Sequence, residues 1–510
     1  MKKKLKRLLA LGLAVVFVFG GCSGKNKQKD NGGADVEIRV EEITEPTPTE
    51  EVQELPLGVN VSRNYKTYYF DDGETPYLYL QYCDVEVQGT GYENLQRMIE
   101  KWSMNRNEEL RDAAEELQAA KPEPSESFYE YYLSQGVSIA RADEQIVSLF
   151  DDVYMYTGGA HPMFSRAGVN FDAKSGKRLA LKDIITDYPS FTKEAKNYVI
   201  TELEANYGDQ LFNDYKETLE QLWASDTGLE WYLDASGIVI VLGEYVVGPY
   251  VMGTTEIHLP YTSFECYMMD AYKPAVSDGI ARLEKNQELQ LLLKEGKKPL
   301  TLKLEYDYQW ETGITKSSLW LNNQKQNLGE FASLNAAYLI RSGEEVFCMV
   351  ETDMASDDFV TYIFRLTEGT IQNVDQIAAS IDAGNINSEG VVMDAWIYFL
   401  GTYSGIKYYT IDKKDGFCTE EKEFRLHKND FVLTTTVDLP VTLEGAESIL
   451  PAGSRIVLNA TDGDTYVKFT IQGTGQRGVL EVTREEDESY RLTIHGMDEN
   501  DCFEMLPYAG

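Results

Sequence analysis

The 510-residue sequence is poor in histidine, with 4, and its 6 cysteines are scattered without a C-x-x-C pair, which excludes a structural zinc site of the usual spacing. It holds no G-x-S-x-G and no H-E-x-x-H, so the nucleophile elbow of a serine hydrolase and the paired-histidine helix of a zinc peptidase are both missing. Gly473-Thr-Gly475-Gln-Arg-Gly478 has the spacing of a dinucleotide loop, but the residues after it read as a strand and supply no helix N-terminus for a pyrophosphate. Ser190-Phe-Thr-Lys193 lacks an accompanying K-T-G or S-D-N box, and its serine is read as a helix cap. Asp498-Glu-Asn500-Asp501 lacks the turn glycine of a Ca²⁺ loop. No metal, no cofactor and no catalytic residue is expected. Positive charge is scarce as well: 47 Lys and Arg stand against 84 Asp and Glu, a formal net charge of −37. Such a surface repels phosphate backbones and anionic polymers, so a nucleic-acid partner is excluded and a basic protein partner is favoured.

What is present is apolar and aromatic. Apolar residues make up 43% and aromatics 12%, with 33 tyrosines, enough for several cores. At roughly 100–200 residues per domain the length allows about three. The first residues carry an address. Lys2, Lys3, Lys4, Lys6 and Arg7 precede an apolar run from Leu8 to Phe19 that is too short for the ~20 residues of a spanning helix, so it reads as a signal peptide over 1–21. Phe19-Gly20-Gly21-Cys22 resembles a bacterial lipobox, which implies lipid attachment at Cys22 and a chain held at the extracytoplasmic face of the cell membrane. Residues 22–55, polar and rich in Lys, Gly, Thr, Pro and Glu, read as a disordered tether with a coil reach of roughly 30 Å. Five cysteines follow Cys22, an odd number, so at least one is unpaired or pairs between molecules.

Periodicity predicts an α+β N-terminal module, an antiparallel sheet with two long helices, followed by an all-β C-terminal half. Tyr77 to Val87, Val137 to Arg141 and Gln145 to Tyr156 alternate as strands. Leu95, Met98, Ile99, Trp102, Leu110, Ala113, Ala114 and Leu117 fall on one face of a helix that Pro122 and Pro124 terminate. A second helix is predicted from about Ser190 to Trp223, and Gly237 to Tyr245 and Thr255 to Tyr261 as strands. Residues 276–299 read as a connector that includes a charged helix over 280–295. From Leu300 the period is two, and short strands to about residue 435 suggest a meander or part of a propeller. Residues 436–510 resemble a small SH3-like barrel in their turn spacing.

Gly158-Gly159-Ala160-His161-Pro162, Val169-Asn-Phe-Asp172, Ser175-Gly-Lys-Arg-Leu179 and Leu181-Lys-Asp-Ile184 form one contiguous signature, and Gly248-Pro-Tyr-Val-Met-Gly253 with Ile257-His-Leu-Pro-Tyr261 closes it. Together these resemble the RsiV/PdaC-type extracellular module family, found in lysozyme-sensing anti-sigma factors and beside peptidoglycan deacetylases, with 56–157 as the companion α/β domain and 158–275 as the RsiV-type domain. The transmembrane helix and intracellular segment of RsiV-type receptors are missing from this sequence. The resemblance implies an envelope module that binds something, without established catalytic residues. The turn at Gly158, Gly159, His161 and Pro162 is the candidate contact surface, because loops on a rigid scaffold carry recognition. Either a muramidase-type basic protein such as lysozyme or a cell-wall glycan is the expected partner. The alternatives are a wall-polysaccharide-modifying enzyme using surface carboxylates, or a scaffold of an envelope complex.

Overall fold

The structure, a computed structural model, describes residues 55–121, 129–225, 228–274, 276–355, 357–412, 416–427, 431–485 and 491–508. The segment read as a signal peptide, Cys22 and nearly all of the segment read as a tether lie outside these residues.

The chain opens with a long hairpin, β1 (Gly58–Tyr69) and β2 (Pro76–Gln88). Helix α1 (Glu93–Ala119) then crosses over to β3 (Tyr131–Asp143), which runs parallel to β2 over Tyr131–Ser134. A parallel neighbour requires such a crossover, and the helix covers the sheet it leaves. Its apolar stripe is the predicted one: Leu95, Ile99, Leu110, Ala113, Ala114 and Leu117 are buried. Met98 and Trp102 sit half-buried at its edge. Between the two apolar stretches the helix buries Ser103, Arg106 and Asn107, each with a polar partner. Ser103 accepts from the Val85 N–H and donates to the Cys83 carbonyl, so it is satisfied against β2.

Strands β4 (Ile146–Tyr156) and β5 (Met163–Asp172) continue antiparallel from β3. The Asp172–Gly176 turn is as expected: Asp172 accepts from the Ser175 N–H and hydroxyl, and Gly176 takes φ 69°. The single helix predicted over 190–223 is two, α2 (Tyr188–Tyr207) and α3 (Tyr215–Ala224). Gly208, at φ 47°, breaks it, a conformation cheap for glycine and costly for other residues. Ser190 is not the cap of α2. Asp187 is, accepting from the Ser190 N–H. A small antiparallel sheet, β6 (Glu230–Leu233), β7 (Gly237–Leu242) and β8 (Thr255–Pro260), completes this part and packs with α2 and α3 around a second core.

The predicted helix over 280–295 is absent. Its residues form two strands, β9 (Gly279–Arg282) and β10 (Glu288–Leu291). Strand β9 shares an edge of β3 with β2 and pairs on its other side with β14 (Ser333–Ser342), so the segment read as a connector is part of the main sheet. That sheet has ten strands and runs on through the meander β15 (Glu345–Asp353), β16 (Phe359–Leu366) and β17 (Ile371–Ile377). A separate four-stranded sheet joins β10 to β11 (Leu300–Gln309), β12 (Ile314–Leu321) and β13 (Gln324–Phe331). The strands from β18 (Ser380–Ile386), β19 (Gly390–Tyr398) and β20 (Thr402–Asp412) to Leu439–Leu443, Ala446–Leu450, Arg455–Thr461, Tyr466–Ile471 and Arg477–Glu481 lie in one eleven-stranded sheet, and Thr483–Arg484, Leu492–Ile494 and Met497–Asp498 form a separate three-stranded one. No closed barrel forms among the described strands of 436–510: those up to Glu481 extend the sheet begun at β18, and the last three stand apart from it.

The main core runs from Leu57 and Val59 through Ile280 and Ile381 to Phe503, so the α/β part and the all-β part share buried apolar surface. Gly384 allows the approach of β18 to β1: a Cβ there would stand 2.7 Å from that of Val61.

Candidate ligand-binding site

Strand β4 ends at Tyr156, and the turn containing Gly158, Gly159, His161 and Pro162 carries the chain into β5. Gly158 adopts φ 73°, the left-handed region that favours glycine. Gly159 does not, so only one of the pair is needed for the backbone path. Pro162 follows with the last residue before β5, and its carbonyl receives the His161 ring nitrogen Nδ1 at 3.0 Å.

The structure brings to this turn a second loop that the sequence did not connect to it. Between β7 and β8, Glu244 to Gly253 folds back so that the Tyr250 ring stacks on His161, centroids 3.8 Å apart and planes 24° from parallel. The Tyr245 hydroxyl reaches His161 Nε2 at 3.3 Å, and its ring lies 6.0 Å from that of Tyr250. Tyr245 holds φ 61°, an uncommon conformation for a tyrosine, and the fold keeps it there. Buried Val247 anchors the loop, its carbonyl accepting from the Phe212 N–H. Val251 at the tip is 80% exposed, a large apolar side chain offered to solvent. Behind the tip, burial raises the Glu244 carboxyl above the usual carboxylate range, with the Phe164 backbone and His161 pulling the other way.

The aromatic surface continues along the sheet. Tyr79 and Tyr132 stack across the parallel β2–β3 pair at 5.0 Å, and Tyr154 on β4 is 40% exposed on that same face. Burial, Glu244, Tyr245 and Tyr154 together raise the pKa of the Tyr250 hydroxyl, so it stays a neutral donor at physiological pH. His161, Tyr245, Tyr250, Tyr154, Tyr132 and Tyr79 thus line a surface of rings with hydroxyl edges, able to stack on a ligand and hydrogen-bond its rim.

Both His161 ring nitrogens face a carbonyl and a phenol, neither of them a nucleophile to activate. Two other histidines sit beside acids and serines. His258 Nδ1 lies 3.3 Å from Asp234 and 3.4 Å from Ser236, in a buried knot that closes the β6–β7 turn. At Asp394 the carboxylate contacts both Ser404 and His427, at 2.5 and 2.7 Å, which places the acid rather than the imidazole in the middle and leaves the serine without a base. Among the described residues the five remaining cysteines are free, and no cluster of three metal-ligating side chains forms. Asp498 caps a short helix at Glu499–Cys502, and Gly473–Gly478 turns into the strand Arg477–Glu481.

The N-terminal half is an α+β module in which a crossover helix and a small sheet support an aromatic hairpin tip. It is a PdaC/DUF3298-type module: residues 83–164 match the family model described as "Deacetylase PdaC", and residues 182–262 match "Protein of unknown function (DUF3298)". Two solved structures of DUF3298 family proteins are similar to part of the chain. One, from Pseudomonas aeruginosa PAO1, is 20% identical over 43% of this chain and 97% of its own, with a TM-score of 0.31. The other, from Bacteroides fragilis, is 19% identical over 42% of this chain and 94% of its own, with a TM-score of 0.29. No curated protein matches the chain. The candidate turn lies within the first of these family matches, and Tyr245 and Tyr250 within the second.

Proposed function

We propose that this chain is a non-catalytic bacterial surface lipoprotein, anchored through Cys22 at the extracytoplasmic face, that binds an envelope ligand through the aromatic tip of its PdaC/DUF3298-type module. The observation that carries the reading is the stack of Tyr250 on His161, bridged by Tyr245 and flanked by exposed Val251. Rigid aromatic side chains with few rotatable bonds make strong contact surfaces, and a solvent-exposed ring cluster is costly to keep without a partner. The net charge of −37 steers a basic protein towards the module, so a muramidase-type protein is the first candidate and a wall glycan the second. Residues 436–510 are read as an opened relative of an SH3-like unit, with the turn spacing but not the closure.

The experiment compares binding of a muramidase, a basic control protein of similar size and a chitooligosaccharide to the full-length chain at physiological salt. Preference for the muramidase, lost about tenfold in Tyr250→Ala, supports the first candidate; a hot-spot aromatic contributes roughly 2 kcal/mol or more. Preference for the oligosaccharide with the same loss supports the second. Equal binding to muramidase and control, unaffected by Tyr250→Ala, reduces the attraction to charge and removes the proposal.

A further inference from the structure

A second site lies on the opposite face of the N-terminal sheet. Helix α1 packs over Leu78 and Leu80 of β2, and a groove of about 570 Å³ opens between β1, β2 and the helix. That volume is within the range of small-molecule sites, roughly 300–1,000 Å³. Leu80, 2% exposed, forms the floor. Lys66 and Tyr68 stand on one wall, Arg111, Glu115 and Gln118 on the other, and Tyr82 closes one end.

The charges here run against those of the molecule. Lys66 Nζ sits 4.5 Å above the Tyr68 ring, and the Arg111 guanidinium 4.8 Å from that of Tyr82. Among the described residues neither cation has a carboxylate within ion-pair distance, although Glu115 is one helical turn from Arg111. The next acid along the strand, Asp84, is already held by the side-chain amides of Asn64 and Asn107 at 2.9 and 2.6 Å. In a chain with 84 acids, two neighbouring cations that bond ring faces instead of carboxylates leave a locally positive groove. At physiological salt the screening length is about 8 Å, so more distant acids do little to repel a small anion bound there.

We propose that this groove binds a small ring compound bearing an oxyanion, a phosphate or a carboxylate on a sugar. The oxyanion lies between Lys66 and Arg111, and the ring packs over Leu80 beside the two tyrosines. An arginine fork suits two oxygens of such a group, and the lysine adds a point charge.

The test is titration calorimetry of the full-length chain with glucose 6-phosphate, glucuronate and uncharged glucose. Saturable binding of a charged sugar with none of glucose is expected, and whichever of the two binds more tightly identifies the oxyanion. Lys66→Gln and Arg111→Gln should each weaken it roughly tenfold, the equivalent of one charge-assisted hydrogen bond. Both side chains are exposed, so the melting temperature should not move. Glu115→Gln should strengthen binding by removing the one acid of the groove. Glucose binding as well as its charged analogues, no saturable binding of either charged sugar at millimolar concentration, or a double Lys66→Gln/Arg111→Gln variant that binds as before would overturn the proposal. The His161 turn is untouched by these variants, so a failure here leaves the first site standing.

Discussion

Arg63 on β1 donates two hydrogen bonds to the Asp382 carboxylate on β18, at 3.0 and 3.3 Å, across 319 residues of sequence. Beside it, the Asn385 side chain accepts from the Val61 N–H and donates to the Val61 carbonyl, imitating a neighbouring strand at the edge of β1. The first strand of the α/β part is therefore completed by the all-β part. Asp382 is buried and Arg63 about a third exposed, so Asp382→Asn should cost roughly 1–2 kcal/mol, a charge-assisted pair discounted for exposure. A fragment of residues 55–275 would bare Val59, Val61 and Ile139, and should unfold with low cooperativity where the whole chain unfolds sharply. Urea titration of both reads the difference; a fragment as cooperative as the intact chain would show that the shared core is dispensable.

Gly168 is where β5 passes under β6. A Cβ at that position would stand 1.6 Å from the Trp231 carbonyl oxygen and 2.3 Å from its carbon, both backbone atoms that cannot rotate away. Gly168→Ala should therefore separate the small sheet from the main one at a cost of about 3 kcal/mol, the upper end for overpacking. Gly159→Ala, whose Cβ meets nothing closer than 3.9 Å, is the matched control and should leave the denaturation midpoint in place.

Glu230 on β6 titrates near neutrality. Burial raises its carboxyl to about 7, against the pull of Arg178 and of the Gly168 N–H that it accepts at 3.1 Å. The folded chain thus holds this proton to a higher pH than the unfolded chain, in which a glutamate loses it near about 4.3. Between those values the native state binds more protons, so the contribution of Glu230 to stability falls as pH rises from about 4.3 to 7. Glu230→Gln keeps an acceptor for Gly168 and removes the charge. It should stabilise the protein at pH 8 and change little at pH 4, which thermal melts at the two pH values will read. Equal effects at both would exclude the burial of this charge as their cause.

Lipid attachment at Cys22 is tested by fractionation. Cys22→Ala should move the chain from the membrane to the medium or leave it as an unprocessed precursor, since stable anchoring needs more than one acyl chain and the tether supplies none. Unchanged retention with normal processing would point to a different anchor.

The crossover helix and the strands around it were legible because each buries one continuous face. Leu95 to Leu117 keeps the helical period through 23 residues, and β4 and β15 are apolar enough to be read as strands directly. Strands β1, β13 and β17 were not legible. β1 buries apolar residues only at its start, and β13 and β17 bury few, so alternation of apolar and polar residues, the signal of a half-buried strand, is weak in them. The segment 280–295 was misread because its charges suit a surface helix, whereas pairing of Gly279–Arg282 with both β3 and β14 satisfies its backbone in the sheet.

By itself the sequence determined the α/β-then-β order, the acidic surface and the turn at Gly158 to Pro162, all of which follow from composition, local period and local backbone freedom. Tertiary structure alone decided what that turn faces. Tyr245 and Tyr250 lie more than 80 residues from His161 and meet it because β7 and β8 return the chain to the end of β4. The groove at Lys66 and Arg111 depends likewise on how β1, β2 and the helix come together. No local pattern encodes either distance, because each is set by the packing of elements that are remote in sequence.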